Sequence, residues 1–230
     1  MSEKKGQFKI FRFDSLSSTN DYAKTLTENS FVLAKKQTGG RGTKGRSFSS
    51  NEGGVYLTKV SFDKKPTDKA FLIMASAAVA VCKVLESYGV QPKIKWANDV
   101  YVHDKKICGI LIENRLSGKF LSSSIVGVGL NVSNSLEEEL SPIATTLCGV
   151  LGKKISADEV ADKLMEFLLK EYPIEEYAKR VGYLEREILL IEGEKQTKVY
   201  ALKVDLDGSL LVKDGETVRT VRAAEVSVRV

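Results

Sequence analysis

Several short polar segments of this 230-residue chain hold side chains that can do chemistry, and their order along the chain matters. Ser17-Ser18-Thr19-Asn20 offers hydroxyls and an amide at a helix N-terminus, where they can cap the helix or hydrogen-bond a small polar ligand such as a ureido group. Residues 37–46 interleave Gly39, Gly40, Gly42 and Gly45 with Arg41, Lys44 and Arg46. A backbone that glycine-rich can approach an anion closely, and the cations suit a phosphate or carboxylate, although the spacing is not that of a P-loop. Asn98 and Asp99 place an amide and a carboxylate at a strand end, and Lys106, just beyond a hairpin, lies close to that carboxylate in sequence. Gly127-x-Gly129-x-Asn131 lacks the third glycine and the following helix of a dinucleotide fingerprint. Taken singly, each segment also has a plain reading: a helix cap, a surface turn, a solvated lysine.

Composition limits the chemistry further. With 43% apolar and 28% charged residues the chain is globular and long enough for one large core plus a small appended unit. The sole histidine, His103, excludes paired-histidine metal sites and leaves little for a histidine-based triad. Cys82, Cys108 and Cys148 are odd in number and far apart, so they read as buried small hydrophobes rather than a disulfide framework or a zinc site. Residues 70–84 are apolar but fall short of a bilayer span, and no secretory signal opens the chain; the expectation is a cytoplasmic protein with no membrane partner. The net charge of +5 is concentrated in residues 35–46, where the interleaved glycines favour a small phosphate ligand over a DNA-reading helix.

The elements that must position these residues are mixed α and β. Alternation marks strands at residues 8–13, 31–36 and 55–62, with Ser18 or Thr19 capping a helix to about residue 28. Residues 68–88 form an apolar helix ended by Gly89, followed by strands at 93–96, 100–103, 106–113 and 123–132, the middle pair joined by a tight turn at Asp104-Lys105. Ser156-x-x-Glu159 is a capping box opening a helix with Val160, Leu164, Phe167 and Leu168 on one face, and a second helix runs from 173 to about 184. From residue 187 the period changes to short strands at 188–191, 198–204, 210–212, 218–221 and 226–230, with hairpin signals at Asp207-Gly208 and Asp214-Gly215. The fold class is therefore α+β: a mixed, mostly antiparallel sheet with helices over 1–186, then a small SH3-like β-barrel over 187–230.

Read together, S-T-N, Q-T-x-G-R-G-x-x-G-R, K-W-x-N-D, K-x-x-G-I-L and G-x-G-x-N resemble the biotin–protein ligases (biotin–acetyl-CoA-carboxylase ligases), in that order and at similar separations. The resemblance extends to residues 144–147 and 205–227, so it spans nearly the whole chain; each motif is weak and the ordered set is specific. It implies the class II synthetase-like biotin–lipoate ligase fold. It also implies an ATP-dependent enzyme that makes biotinyl-5′-AMP and passes biotin to one lysine of a biotin carboxyl carrier protein. The chain starts almost directly at the catalytic domain, so the form without an N-terminal DNA-binding domain is expected, with no DNA partner; a homodimer is compatible with the resemblance.

By the same resemblance, Ser18, Thr19, Asn20 and Gln37 would hold the ureido head, with Gly40, Arg41, Gly42, Thr43 and Gly109 completing the biotin site. Lys106 would bridge the biotin carboxylate and the α-phosphate, where fixed cations stabilise spread negative charge. Asp99 would receive or orient the proton of the incoming amine, making Lys106, Arg41 and Asp99 the catalytic group. Arg46, Asn98 and Asn131 would lie near the nucleotide, Phe48 would stack on adenine where relatives often have tryptophan, and Mg2+ would accompany ATP. Thr43 departs from the pattern, standing where several relatives have arginine. Two rivals remain: a lipoate–protein ligase of the same fold, whose G-N-A-Q after the lysine is replaced here by residues 109–113, and a nucleic-acid-binding module supported only by charge.

Overall fold

The computed structural model describes residues 3–222 and 227–229. Strand β1 (Glu3–Lys5) folds back on β2 (Phe8–Leu16), and Ser18 then caps α1 (Thr19–Ala23), its hydroxyl accepting from the Asp21 N–H at 3.3 Å. The helix stops well short of residue 28. Thr25 turns its hydroxyl onto the Tyr22 carbonyl at 2.8 Å and the Leu26 N–H bonds the Ala23 carbonyl, so local i→i+3 bonds close the last turn. Next come β3 (Ser30–Gln37), β4 (Val55–Ser61), β5 (Lys65–Pro66), the long helix α2 (Ala70–Glu86), β6 (Lys93–Lys95), β7 (Asp99–Val102), β8 (Lys105–Ser117) and β9 (Phe120–Leu130). They form one sheet in the order β1-β2-β3-β4-β9-β8-β7-β6, with β5 paired to β9; β2 and β3 are parallel and the other pairs antiparallel.

The turn between β7 and β8 lies one residue earlier than Asp104-Lys105. Val102 pairs with Lys105, leaving His103 and Asp104 as the two central residues, both at positive φ (48° and 60°), the geometry a right-twisted two-residue hairpin requires. A one-residue bulge follows between Val100 and Tyr101.

Side chains alternate across the sheet, so it has two different faces. Phe31, Leu33, Val55, Leu57, Ile110, Val126 and Val128 join the main core with α2 and α4 (Ala157–Leu168). The opposite face carries Val32, Val60 and Ile125 in a smaller cluster under Ala23 of α1, and next to it lies the polar cleft described below. In α4, Ser156 accepts from the Glu159 N–H, and Val160, Leu164 and Leu168 are buried with Phe167 partly so, as the capping box and periodicity predict. After α3 (Leu147–Leu151), α5 (Ile174–Ala178) is shorter than the expected helix to 184. Strand β6 captures the chain beyond it: the Ile94 N–H bonds the Arg180 carbonyl at 2.7 Å and the Gly182 N–H bonds the Ile94 carbonyl at 3.1 Å. Pairing to a sheet edge satisfies the backbone as well as a helical turn does, and here it wins.

From Arg186 onward a second sheet forms, β10 (Arg186–Glu192), β11 (Lys195–Val204), β12 (Leu210–Asp214), β13 (Thr217–Val221) and β14 (Ser227–Arg229), in the antiparallel order β13-β12-β11-β10-β14. Five strands were expected and five are present among the described residues; Val226 and Val230 of the last expected strand lie outside them, and a closing contact between β13 and β14 is not among their pairings. Ile188, Leu190, Ala201, Leu210 and Val212 share the main core, and the Trp96 indole N–H, buried as expected for a core tryptophan, donates to the Gly208 carbonyl at 2.9 Å. Cys82 and Cys108 are buried, whereas Cys148 is half-buried and accepts the Ile155 N–H at its Sγ. Among the described residues no helix is long and apolar enough to cross a membrane.

Candidate functional site

The cleft on the α1 face is built on glycine. Gly109 on β8 and Gly127 and Gly129 on β9 stand on the strand faces that line it. A Cβ at Gly127 would lie 2.2 Å from Asn20 Oδ1, and one at Gly129 would lie 2.5 Å from the Phe48 ring. The Asn20 amide and the Phe48 ring therefore rest directly on the backbone of β9, which only a residue without a side chain permits. These glycines make room for two side chains brought in by α1 and by the basic loop.

At the α1 end the polar groups are interlocked. Gln37 Oε1 accepts the Thr19 N–H at 2.8 Å and faces the Thr19 hydroxyl at 3.0 Å, while Gln37 Nε2 donates to Ser50 Oγ at 3.0 Å. The Ser50 hydroxyl in turn donates to the Phe48 carbonyl at 2.9 Å. Thr58 of β4, fully buried, places its hydroxyl 2.8 Å from Thr19 Oγ1 and 2.7 Å from Asn20 Oδ1. Asn20 Nδ2 donates to Glu113 Oε2 at 2.9 Å. Burial raises the Glu113 carboxyl, but the Lys24 ammonium at 2.8 Å, the Asn20 amide and the Arg41 charge outweigh it and hold the group below the ordinary glutamate range. Glu113 in turn raises Lys24. Neither Thr58 nor Glu113 is among the candidate site residues read from the sequence; the signal available for Glu113 is period-two alternation, since it follows Gly109 and Leu111 on one face of β8.

The basic loop folds back on itself. The Gly42 N–H bonds the Arg46 carbonyl at 2.7 Å, the Phe48 N–H bonds the Gly40 carbonyl at 2.9 Å, and residues 43–45 make a turn with Lys44 and Gly45 at positive φ. Gly40 is not in the cleft wall: a Cβ there would sit 2.4 Å from the Phe48 carbonyl, so it is needed for the loop crossing itself. Arg41 reaches Asp21 and lies 3.6 Å from Glu113.

At the other end, Lys106 Nζ and Asp99 Oδ1 form an ion pair at 2.8 Å, and the Lys106 ammonium stands 5.8 Å from the Phe48 ring centroid. Asn98 Nδ2 donates to the Ile110 carbonyl at 3.1 Å and reaches Asp99 Oδ1 at 3.3 Å. A second cavity opens beyond, walled by Trp96, Tyr101, Leu140, Ile143 and Asn131. Thr43, Arg46, Phe48, Asn98, Asp99 and Lys106 line both cavities, so these two spaces meet at the Lys106–Asp99 pair. Of the residues singled out in the sequence, Ser18, Thr19, Asn20, Gln37, Arg41, Gly42 and Gly109 border the first cavity and Asn131 only the second, where its Oδ1 accepts from Asn134 Nδ2 at 3.1 Å. Cys108, one residue from the bulge, is no nucleophile: burial holds its thiol well above the ordinary value. Among the described residues no three His, Cys, Asp or Glu side chains form a metal-binding group, and the cleft carboxylates Asp21, Asp99 and Glu113 are paired with cations.

Residues 12–131, more than half of the chain, match the biotin/lipoate A/B protein ligase family. The chain belongs to that family. Bacillus subtilis bifunctional ligase/repressor BirA is 34% identical over 99% of this chain and 76% of its own length. The Paracoccus denitrificans biotin–acetyl-CoA-carboxylase ligase is 25% identical over 87% of this chain and 91% of its own. In three dimensions this ligase is similar to the Aquifex aeolicus biotin protein ligase in complex with biotin and ATP, with a TM-score of 0.79, 28% identity and 96% of this chain and 98% of that chain covered. The predicted α+β fold thus agrees with the biotin protein ligase structures.

Proposed function

We propose that this ligase joins biotin to ATP as biotinyl-5′-AMP and then transfers the biotinyl group to a specific lysine of a biotin carboxyl carrier protein. The observation that carries the reading is the junction of two polar cavities at one lysine–aspartate pair, with hydroxyls and amides at the far end of the first and an aromatic ring between them. Two substrates that must react end to end need that layout.

In this reading Ser18, Thr19, Asn20 and Gln37 receive the ureido ring. Ser18 Oγ accepts a backbone N–H in the cap and keeps its own hydrogen for a ligand carbonyl. Arg41, Gly42, Thr43 and Lys106 meet the biotin carboxylate, and Gly40 and Gly109 let loop and strand approach it. A carboxylate oxygen attacks the α-phosphorus of ATP, the α–β bridging bond breaks, and pyrophosphate leaves; Lys106 and Arg46 offset the charge spread over the phosphoryl oxygens. The nucleotide occupies the second cavity against Phe48, Asn98 and Asn131. The acceptor amine then attacks the acyl carbon of the mixed anhydride, AMP departs, and Asp99 takes the amine proton. Mg2+ would be held by the phosphates of ATP; the described residues offer it no ligand cluster, and no step is assigned to it. Residues 1–186 would carry this chemistry and 187–230 would form an accessory unit.

Incubating the protein with ATP and either biotin or lipoate, and identifying the adenylate by mass spectrometry, tests the reading. Biotinyl-AMP with no lipoyl-AMP is expected. Lipoyl-AMP as the main product would replace it with the lipoate reading, and neither adenylate would remove both.

A further inference from the structure

The hydroxyls and amides at the α1 end of the cleft hold fewer hydrogens than they have contacts. Thr19 Oγ1 lies 3.0 Å from Gln37 Oε1 and 2.8 Å from Thr58 Oγ1, and Thr58 Oγ1 lies 2.7 Å from Asn20 Oδ1. These three oxygen–oxygen contacts share the two hydrogens of Thr19 and Thr58, because both amide oxygens only accept. Each amide is locked from its far side. Glu113 is acceptor-only when ionised, as its lowered pKa keeps it, so Asn20 must turn Nδ2 to the carboxylate and Oδ1 to Thr58. Ser50 spends its hydrogen on the Phe48 carbonyl and so accepts from Gln37 Nε2, which turns Gln37 Oε1 to Thr19. Asn20 has no room to shift, lying on the bare backbone of Gly127.

Consequently the Thr58 hydrogen is spent on Asn20, and the Thr19 hydrogen points inward to Gln37 or Thr58. The Thr19 hydroxyl is left with lone pairs only for anything in the cleft. We infer that Glu113, acting through Asn20 and the buried Thr58, is the positioning residue that makes this end of the cleft demand a ring N–H donor, and so selects a cyclic urea over a dithiolane. A ligand N–H at Thr19 supplies the donor that neither Gln37 Oε1 nor Thr58, its hydrogen spent on Asn20, can give. A dithiolane has none to give and leaves buried acceptors unpaired, the situation in which a site built for hydrogen bonds discriminates most strongly. This inference rests on biotin being the substrate.

The test uses the whole protein and compares native, Glu113→Gln, Thr58→Val, the double variant and Thr58→Ser. The readouts are biotin-dependent pyrophosphate exchange, and direct binding of biotin and of a biotin analogue methylated at the ureido N–H. In Glu113→Gln the neutral side-chain amide can bond either end of the Asn20 amide, so the chain of hydrogen bonds loses its direction. Expected are a rise in the biotin KM of at least about tenfold in Glu113→Gln and in Thr58→Val with kcat at saturation little changed, and a double variant no worse than the weaker single one. Thr58→Ser should keep the native KM, and the preference of native protein for biotin over the methylated analogue should shrink in both single variants. Additive effects, or a preference kept intact in Glu113→Gln, would overturn the inference. Thermal melting of the unliganded variants separates a loss of fold from a loss of selection: a variant that melts early but keeps the preference also counts against it. Failure of native protein to bind biotin at all would instead remove the biotin reading on which it stands.

Discussion

Lys106 and Asp99 face each other across adjacent strands, Nζ to Oδ1 at 2.8 Å, where the two cavities meet. Asp99 is held from behind by Asn98, whose amide is itself fixed on the Ile110 carbonyl. The pair is about one-third (32%) and one-fifth (22%) exposed, and such ion pairs contribute little to stability, so its place in the cleft matters more than its energy.

Lys106→Ala should lower pyrophosphate exchange by about 100-fold or more while changing unfolding stability by less than about 1 kcal/mol. Asp99→Asn should slow transfer from preformed adenylate by roughly 100-fold, since an amide cannot take the amine proton. Single-turnover measurement of both half-reactions separates the roles. An equal loss in both halves for Asp99→Asn would make Asp99 a support for Lys106 and not a base.

The two glycines of β9 should fail in different ways. Gly127→Ala drives its methyl group at Asn20, and Gly129→Ala drives its own at Phe48. Overpacking of this kind costs about 1–3 kcal/mol. The first variant should raise the biotin KM and spare that for ATP; the second should weaken nucleotide binding more. Kinetics with each substrate varied in turn checks this, and identical effects from both variants would contradict the separate placement of the two side chains.

Thr43 borders both cavities at the turn of the basic loop. Thr43→Arg should slow dissociation of the adenylate and reduce biotin labelling of an unrelated lysine-rich protein, through charge-assisted hydrogen bonds that threonine cannot make. Unchanged rates in both assays would mean that Arg41 and Arg46 hold the loop without help.

Glu113 sets a pH dependence with a definite sign. Its folded-state pKa lies below the ordinary glutamate range, so its contribution is present in full above that range and is lost as pH falls through the lowered folded value. Thermal stability and biotin binding of native protein should both decline on acidification through that window, and Glu113→Gln should flatten that part of each curve. Coincident acid limbs in native and variant protein would assign the decline to other carboxylates.

The sequence by itself determined the parts that follow from local pattern. The caps at Ser18 and Ser156, the apolar α2, and the glycines Gly208 and Gly215 of the C-terminal turns all lie where periodicity and turn chemistry put them. Local preference specifies such features because the bonds that satisfy them come from residues a few positions away. It misjudged elements whose ends are decided at a distance, as where β6 takes over residues 180–182 and cuts α5 short. Only the tertiary structure brought Thr58 and Glu113, 38 and 93 residues from Asn20, onto its two amide ends, and gave Gly127 and Gly129 their purpose as floor beneath other side chains. A hydrogen-bond chain across three strands and a helix has no spacing in sequence, because its geometry is set by strand order and register, and these follow from burying both faces of one sheet at once.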